Sequence, residues 1–134
     1  RFVNETKADA LAVSVGTAHG VYLVRKPKVD YDRLQAIRAL TPVHLVLHGG
    51  SGVPAEMIKK ATNLRNGGIS KVNIATDLEV ALLEALGRQE RMTNAECRSL
   101  SDKELNIARK AVEETVIDKI ENFLGSNKKA LDFL

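Results

Sequence analysis

Two histidines, each followed directly by glycine, are the residues of this sequence best suited to chemistry. His19 precedes one glycine and His48 precedes two. Each histidine closes an apolar run, so each is expected at the C-terminal end of a β-strand. A lone His19 is typical of a hydrogen-bonded loop residue, but two neighbouring strand ends with histidine favour Zn²⁺, which takes three protein ligands and one open position at a catalytic site. The third ligand is expected from a segment outside this sequence.

The residues after His48 are suited to binding phosphate. They are Gly49, Gly50, Ser51, Gly52, Val53 and Pro54. Glycine allows backbone N–H groups to approach an anion closely, and Pro54 suits the first turn of a following helix, whose N-terminus attracts phosphate. The alternative is that the glycines only form the turn and that Ser51 caps the helix.

A third strand end is expected beside the two histidines. Its residues are Asn73, Ile74, Ala75 and Thr76. In parallel α/β folds, ligands bind at the C-terminal ends of the strands, which favours a place for these residues in the same site. Thr76 and Glu79 also have the spacing of a capping box, in which the Thr76 hydroxyl would serve a helix.

Two further residues are interpreted as lying away from the site. His44 precedes His48 by four residues, which is about 13 Å along a strand, so His44 is expected to be structural. Lys71 is expected to begin its strand and to lie far from the other strand ends. A Schiff-base lysine is therefore not favoured.

Three strand–helix units are predicted to position these residues. Apolar runs predict strands at residues 8–16, 44–48 and 71–76. Helical periodicity predicts helices at residues 30–40, 54–65, 77–86 and 103–124, and residues 1–6 are also expected to be helical. Strands spaced by one βαβ unit are parallel, so their C-terminal ends face the same way.

The predicted fold class is therefore α/β, with residues 1–87 forming three βα units. Residues 88–134 are predicted to be a polar connection and a helical extension of the same domain, whose apolar stripe packs on the barrel exterior or on another subunit. Three parallel strands cannot close a barrel or cover both sheet edges. We therefore expect the chain to be part of a larger domain.

Composition narrows the class of protein further. The chain has 134 residues, of which 44% are hydrophobic and 4% aromatic, as in an aliphatic α/β protein. No apolar stretch approaches the roughly 20 residues that cross a bilayer, so the cytoplasm is expected. The net charge of +3 comes from scattered basic residues, which argues against nucleic-acid binding. The single cysteine, Cys97, cannot form an internal disulfide.

Three motifs resemble those of the class II, zinc-dependent ketose-bisphosphate aldolases. They are Gly16-Thr17-Ala18-His19-Gly20-Val21-Tyr22, Leu45-Val46-Leu47-His48-Gly49-Gly50-Ser51-Gly52-Val53-Pro54 and Lys71-Val72-Asn73-Ile74-Ala75-Thr76. The resemblance implies a (β/α)8 TIM barrel, of which this chain would supply the last three βα units and the C-terminal helices. It also implies that the chain alone is inactive and requires the remaining strands.

The resemblance also implies roles for individual residues. His19 and His48 would be two of three zinc ligands, while the third histidine and the proton-transferring aspartate would lie outside this chain. The residues implied to bind the substrate phosphate are Gly20, Gly49, Gly50, Ser51, Asn73, Ile74, Ala75 and Thr76. Zn²⁺ is the implied cofactor, with a monovalent cation as an additional candidate.

Two departures from the family pattern bear on the substrate. Fructose-bisphosphate members often carry lysine where this chain has Leu23, and Asp or Asn where it has Ala75. The resemblance is therefore to the tagatose-bisphosphate branch, and it implies cleavage of tagatose 1,6-bisphosphate to dihydroxyacetone phosphate and glyceraldehyde 3-phosphate in carbohydrate metabolism such as glycolysis. The alternatives are a fructose-bisphosphate aldolase and a non-catalytic sugar-phosphate-binding subunit. A homo-oligomer through the C-terminal helices is expected.

Overall fold

The computed structural model describes residues 1–20 and 26–133. The strands are β1 (Ala10–Ala12), β2 (His44–Leu47) and β3 (Ile69–Val72). The helices are α1 (Phe2–Thr6), α2 (Tyr31–Leu40), α3 (Ala55–Thr62), α4 (Thr76–Ala85), α5 (Asn94–Arg98) and α6 (Asp102–Asp118), followed by a π-helical segment (Lys119–Leu124) and a 3₁₀ segment (Lys129–Phe133). No helix among the described residues has the length and apolar character needed to cross a membrane.

The three strands form one parallel sheet in the order β1-β2-β3. In the first pair, Leu11 lies opposite Leu45 and Ala12 lies opposite Val46. This arrangement confirms the predicted α/β class with a parallel sheet. It also places the C-terminal ends of all three strands on one edge, where the two His-Gly sequences follow β1 and β2.

The sequential strand order indicates a barrel-like winding of this sheet. Right-handed crossovers that proceed in one direction place successive helices on the same face, whereas a doubly wound sheet needs a reversal of strand order. Leu45 and Leu47 of β2 have no exposed surface, whereas Ala10, Ala12 and His44 are exposed. The face that carries Leu45 and Leu47 is therefore buried. The other face, here called the open face, is largely exposed, although Val46 on it is buried.

A β-bulge interrupts the pairing of β2 with β3. Leu45 lies opposite Ile69, but the next residue, Val46, lies opposite Lys71, so Ser70 is the extra residue. A bulge changes the face toward which the following side chains point. Ile69 is accordingly buried at 4% exposure, whereas Lys71, two residues later, is exposed on the open face.

Several predicted element boundaries differ from the structure. β1 is Ala10–Ala12 and not residues 8–16, and the helix predicted at residues 103–124 is α6 followed by the π-helical segment. β3 is Ile69–Val72 and not residues 71–76, because the bulge brings Ile69 into the sheet and Thr76 already begins α4. α3 begins after Pro54, which is its N-cap and not a first-turn residue, and α3 ends at the C-cap Asn63. Helix α5 lies in the segment predicted to be a polar connection.

The predicted capping box of Thr76 and Glu79 is wrong. Thr76 is the first residue of α4 and Ala75 is the N-cap, without a side-chain capping bond. The Glu79 carboxylate instead accepts hydrogen bonds of 2.5 and 2.6 Å from Arg91. A residue that already has helical dihedral angles cannot place its hydroxyl over the first turn.

The chain divides into two compact units, Arg1–Ile74 and Ala75–Leu134. In the second unit α4 packs against α6, and Lys119 Nζ lies 2.6 Å from Asp77 Oδ2. The predicted apolar stripe consists of Leu105, Ala108, Val112, Val116, Ile120 and Phe123, of which Ala108 and Phe123 are buried while Val116 and Ile120 are exposed. The division after residue 87 and the packing of the stripe on a barrel or another subunit stay predictions.

Glu96 of α5 allows a pH-dependent prediction. The Thr93 backbone N–H and the Arg88 guanidinium donate to its carboxylate at 2.8 and 2.9 Å, which lowers the pKa of Glu96 to about 2. A lowered pKa in the folded state means that the stabilisation is present above the ordinary value of 4.5 and is lost as the pH falls toward 2.

Arg88→Met is therefore expected to raise the pKa of Glu96 toward 4.5, though not fully, because the Thr93 hydrogen bonds remain. The measurement is the ¹³C shift of the Glu96 carboxyl carbon as a function of pH. Arg98→Met, on the same helix, is the matched control and should leave this titration unchanged. An unchanged titration in Arg88→Met would contradict the assigned cause.

Candidate functional site

His19 and His48 lie side by side beyond the C-terminal edge of the sheet. His48 directly follows β2, whereas His19 lies in the loop after β1, which ends at Ala12, and not at the strand end where it was predicted. His19 Nε2 is 3.2 Å from His48 Nδ1, and the ring centroids are 5.3 Å apart with an angle of 67° between the ring planes. Both histidines are exposed. The structure thus brings together the two imidazoles that the sequence singled out.

The backbone around the two histidines fixes this geometry. The Thr17 hydroxyl donates a 2.7 Å hydrogen bond to the carbonyl of His48. Gly49 has φ +68°, and a Cβ at this position would lie 2.3 Å from the carbonyl oxygen of Ala18. The segment after β1 therefore packs directly on the segment after β2, and only glycine allows the approach.

Asn73 connects β3 to the same place. Its backbone N–H donates to the carbonyl of Leu47 at 2.8 Å, and its carbonyl accepts from Gly50 N–H at 3.0 Å. Its side-chain Nδ2 lies 3.2 Å from His48 Nδ1 and 3.0 Å from His48 Nε2. Because Gly50 N–H already donates to Asn73, this geometry does not support the predicted use of that group as a phosphate donor.

Lys71 is not remote from the site, and this expectation was wrong. Its Nζ donates a hydrogen bond to Asn73 Oδ1. Lys71 is the third residue of β3 and follows the bulge at Ser70, so it lies toward the end of the strand and not at its beginning. Side chains two apart on a strand share a face, and the spacing of Lys71 and Asn73 was the sequence signal for this contact.

Three further residues that were predicted to bind phosphate, Gly20, Ser51 and Ile74, are placed as follows. Gly20 is half-buried with φ +93°, and a Cβ there would meet no described residue within 4 Å. Ser51 is 4% exposed and is not the N-cap of α3, because Pro54 holds that position. Ile74 lies beside Gly50, where an added Cβ would come within 3.3 Å of the Ile74 side chain.

Ala75 and Thr76 belong to the second compact unit, as the N-cap and first residue of α4. The phosphate-binding roles predicted for these residues stay predictions. His44 is the first residue of β2, at the end opposite His48, where its Nδ1 lies 3.0 Å from Ser70 Oγ.

The spacing of the two imidazoles fits one metal ion. With Zn–N distances of 2.0–2.1 Å, tetrahedral geometry places two ligand nitrogens about 3.3 Å apart. The observed separation of His19 Nε2 and His48 Nδ1 is 3.2 Å. Within residues 1–20 and 26–133, no group of three histidine, cysteine, aspartate or glutamate side chains could hold a metal. The third ligand from outside this chain stays a prediction.

A comparison with protein-family models identifies the family to which this chain belongs. The model of the class-II fructose-bisphosphate aldolases matches residues 1–129. The chain belongs to the class-II fructose-bisphosphate aldolase family. The strand-end histidines, the glycines and Asn73 described above are therefore residues of an aldolase-family domain.

Two solved structures of aldolases are similar to this chain. The YdjI aldolase from Escherichia coli is 34% identical, with a TM-score of 0.72, over 96% of this chain and 43% of that chain. A protein from Coccidioides immitis assigned as a fructose-1,6-bisphosphate aldolase is 28% identical, with a TM-score of 0.69, over 98% of this chain and 42% of that chain. This chain thus spans less than half the length of either structure, in agreement with the predicted part of a TIM barrel.

Proposed function

We propose that the protein carrying this sequence catalyses the reversible aldol cleavage of a ketose 1,6-bisphosphate. The products would be dihydroxyacetone phosphate and glyceraldehyde 3-phosphate. The observation that carries this proposal is the 3.2 Å separation of His19 Nε2 and His48 Nδ1, in the segments that follow two adjacent strands of a class-II aldolase family member. This is the spacing that one zinc ion requires of two ligands.

In this proposal His19 and His48 hold Zn²⁺, whose positive charge stabilises the anion that develops on the ketone oxygen of the substrate. The hydrogen bond from Thr17 to the His48 carbonyl keeps the segment that carries this ligand in place. Gly49 allows the two histidine segments to approach, and Asn73 holds its amide beside His48. The proton-transferring aspartate is proposed to come from outside this chain, as is the third ligand.

The predicted substrate is tagatose 1,6-bisphosphate. Its support is Ala75, which stands where fructose-bisphosphate members usually carry Asp or Asn according to the resemblance. Leu23, the second departure, lies outside the described residues. Fructose 1,6-bisphosphate is the alternative substrate, and the two sugars differ in the configuration of one hydroxyl. The monovalent cation stays a prediction.

The test uses the protein as its gene encodes it. Zinc content is measured, and cleavage of tagatose and fructose 1,6-bisphosphate is followed before and after exhaustive chelation. We expect about one zinc ion per chain, cleavage that is lost on chelation and recovered with added Zn²⁺, and a higher kcat/KM for the tagatose ester. Cleavage that survives chelation would refute the zinc mechanism.

The non-catalytic alternative predicts a different result. A sugar-phosphate-binding subunit would bind dihydroxyacetone phosphate without zinc and would cleave neither ester. A higher kcat/KM for fructose 1,6-bisphosphate would assign the protein to the fructose branch and refute only the choice of sugar.

A further inference from the structure

Lys71, Asn73 and His48 form a connected row on the open face of the sheet. Lys71 Nζ contacts Asn73 Oδ1, and Asn73 Nδ2 lies 3.0 Å from His48 Nε2. The backbone of Asn73 is fixed independently, because its N–H bonds to Leu47 and its carbonyl accepts from Gly50. The remaining question is the orientation of the Asn73 side-chain amide, that is, whether its oxygen or its NH₂ group faces His48.

The chemistry of the two neighbours decides this rotation. An ammonium group has three donors and no acceptor, so only the amide oxygen of Asn73 can face Lys71. The amide NH₂ group must then lie on the side of His48, where Nδ2 is 3.2 and 3.0 Å from the two ring nitrogens. It lies against the ring face and not along a nitrogen lone pair, so that the lone pair of Nδ1 is left for the proposed metal. With an uncharged residue at position 71, the amide could turn over and present its oxygen to the histidine instead.

The geometry assigns Lys71 as a positioning residue that holds the Asn73 amide with its NH₂ group toward the paired imidazoles. The assignment of a function to this orientation rests on the proposed aldolase activity. In that reaction the NH₂ group would face the space where negative charge develops on a substrate oxygen, and a donor already aimed at such a charge needs no reorganisation.

The bulge at Ser70 makes this role possible. In an unbroken ladder the residue after Ile69 would lie opposite Val46, and position 71 would lie opposite Leu47, which has no exposed surface. The extra residue instead places Lys71 opposite Val46, so that Lys71 and Asn73 both lie on the face of the sheet that carries His48. Bulges that redirect a side chain are common beside active sites.

The first experiment reads the amide directly and does not require activity. In ¹⁵N-labelled protein, the Asn73 side-chain NH₂ signals are identified by their loss in Asn73→Asp. We expect Lys71→Met to shift these signals and to speed their hydrogen exchange about threefold to tenfold, the range for loss of one hydrogen bond. Lys71→Arg, which retains a donor, should restore the wild-type signals.

The matched control is Lys59→Met, which removes an exposed lysine from α3. It should leave the Asn73 signals unchanged. Unchanged Asn73 signals in Lys71→Met would overturn the assignment. This result is independent of whether the protein cleaves a sugar bisphosphate, so a failure of the proposed function is distinguished from a failure of this inference.

The second experiment tests whether Lys71 acts through Asn73. We expect Lys71→Met to lower kcat about threefold to tenfold with little change in KM, and to have no further effect in an Asn73→Ala background. An equal loss from Lys71→Met in both backgrounds would mean that Lys71 acts by another route and would overturn the inference.

Discussion

Replacement of His48 by alanine is expected to abolish zinc binding and aldol cleavage together. His48 supplies one of the two nitrogens that lie 3.2 Å apart. Outer-shell partners of metal ligands are already worth about 10- to 100-fold in metal affinity, so loss of a ligand should cost more than about 100-fold. The measurements are zinc affinity by competition with a chelator and kcat/KM for the sugar bisphosphate.

His44→Ala is the matched control for this prediction. Both histidines are exposed, and both belong to or directly follow β2. His44 lies at the opposite end of the strand, beside Ser70. Its replacement should leave zinc affinity and cleavage within about twofold of wild type, because its contact is with the Ser70 hydroxyl and not with either imidazole of the site, while the backbone pairing of the strands is retained. Retention of zinc by His48→Ala, or an equal loss in His44→Ala, would contradict the assignment of the site.

Replacement of Gly49 by alanine is expected to destabilise the fold strongly. The new Cβ would lie 2.3 Å from the Ala18 carbonyl oxygen and 2.6 Å from its carbon. Both are backbone atoms, so they cannot move aside as a flexible side chain would. The left-handed φ of +68° adds its own cost. We expect a loss of about 3–4 kcal/mol in the free energy of unfolding, measured by urea denaturation.

Gly87→Ala separates the two causes of this loss. Gly87 has φ +66°, close to that of Gly49, but an added Cβ there meets nothing within 4 Å. It should therefore lose only about 1–2 kcal/mol, the cost of the left-handed conformation. Equal losses at the two positions would mean that the contact with Ala18 is unimportant, and that Gly49 serves only its turn.

Gly49→Ala should also lower zinc affinity where enough folded protein remains to measure it. The contact of Gly49 with Ala18 and the hydrogen bond from Thr17 to His48 hold the two histidine segments together. An added methyl group would separate the segments and increase the distance between the ligand nitrogens. The glycine thus has a packing role whether or not its N–H binds phosphate.

Local pattern in the sequence was sufficient for much of the first unit. Apolar runs followed by His19 and His48 placed His48 directly after its strand and His19 in the loop after the neighbouring one, and the spacing of the units made those strands parallel neighbours. Strand boundaries were less well predicted, because hydrogen bonding between strands decides where a strand ends. The capping box predicted for Thr76 was wrong although Thr76 and Glu79 have the required spacing. Helix α4 begins at Thr76 itself, so Ala75 and not Thr76 is the N-cap.

By itself the sequence determined the α/β class, the parallel arrangement and the meeting of His19 with His48, because alternation and strand–helix spacing are local properties. Only the tertiary structure decided the β-bulge at Ser70, which places Lys71 and Asn73 on the face of His48, and the use of Gly50 N–H by the Asn73 carbonyl. These features depend on the register between β2 and β3. Register is set by contacts between residues distant along the chain, and one extra residue reverses the face of every side chain that follows.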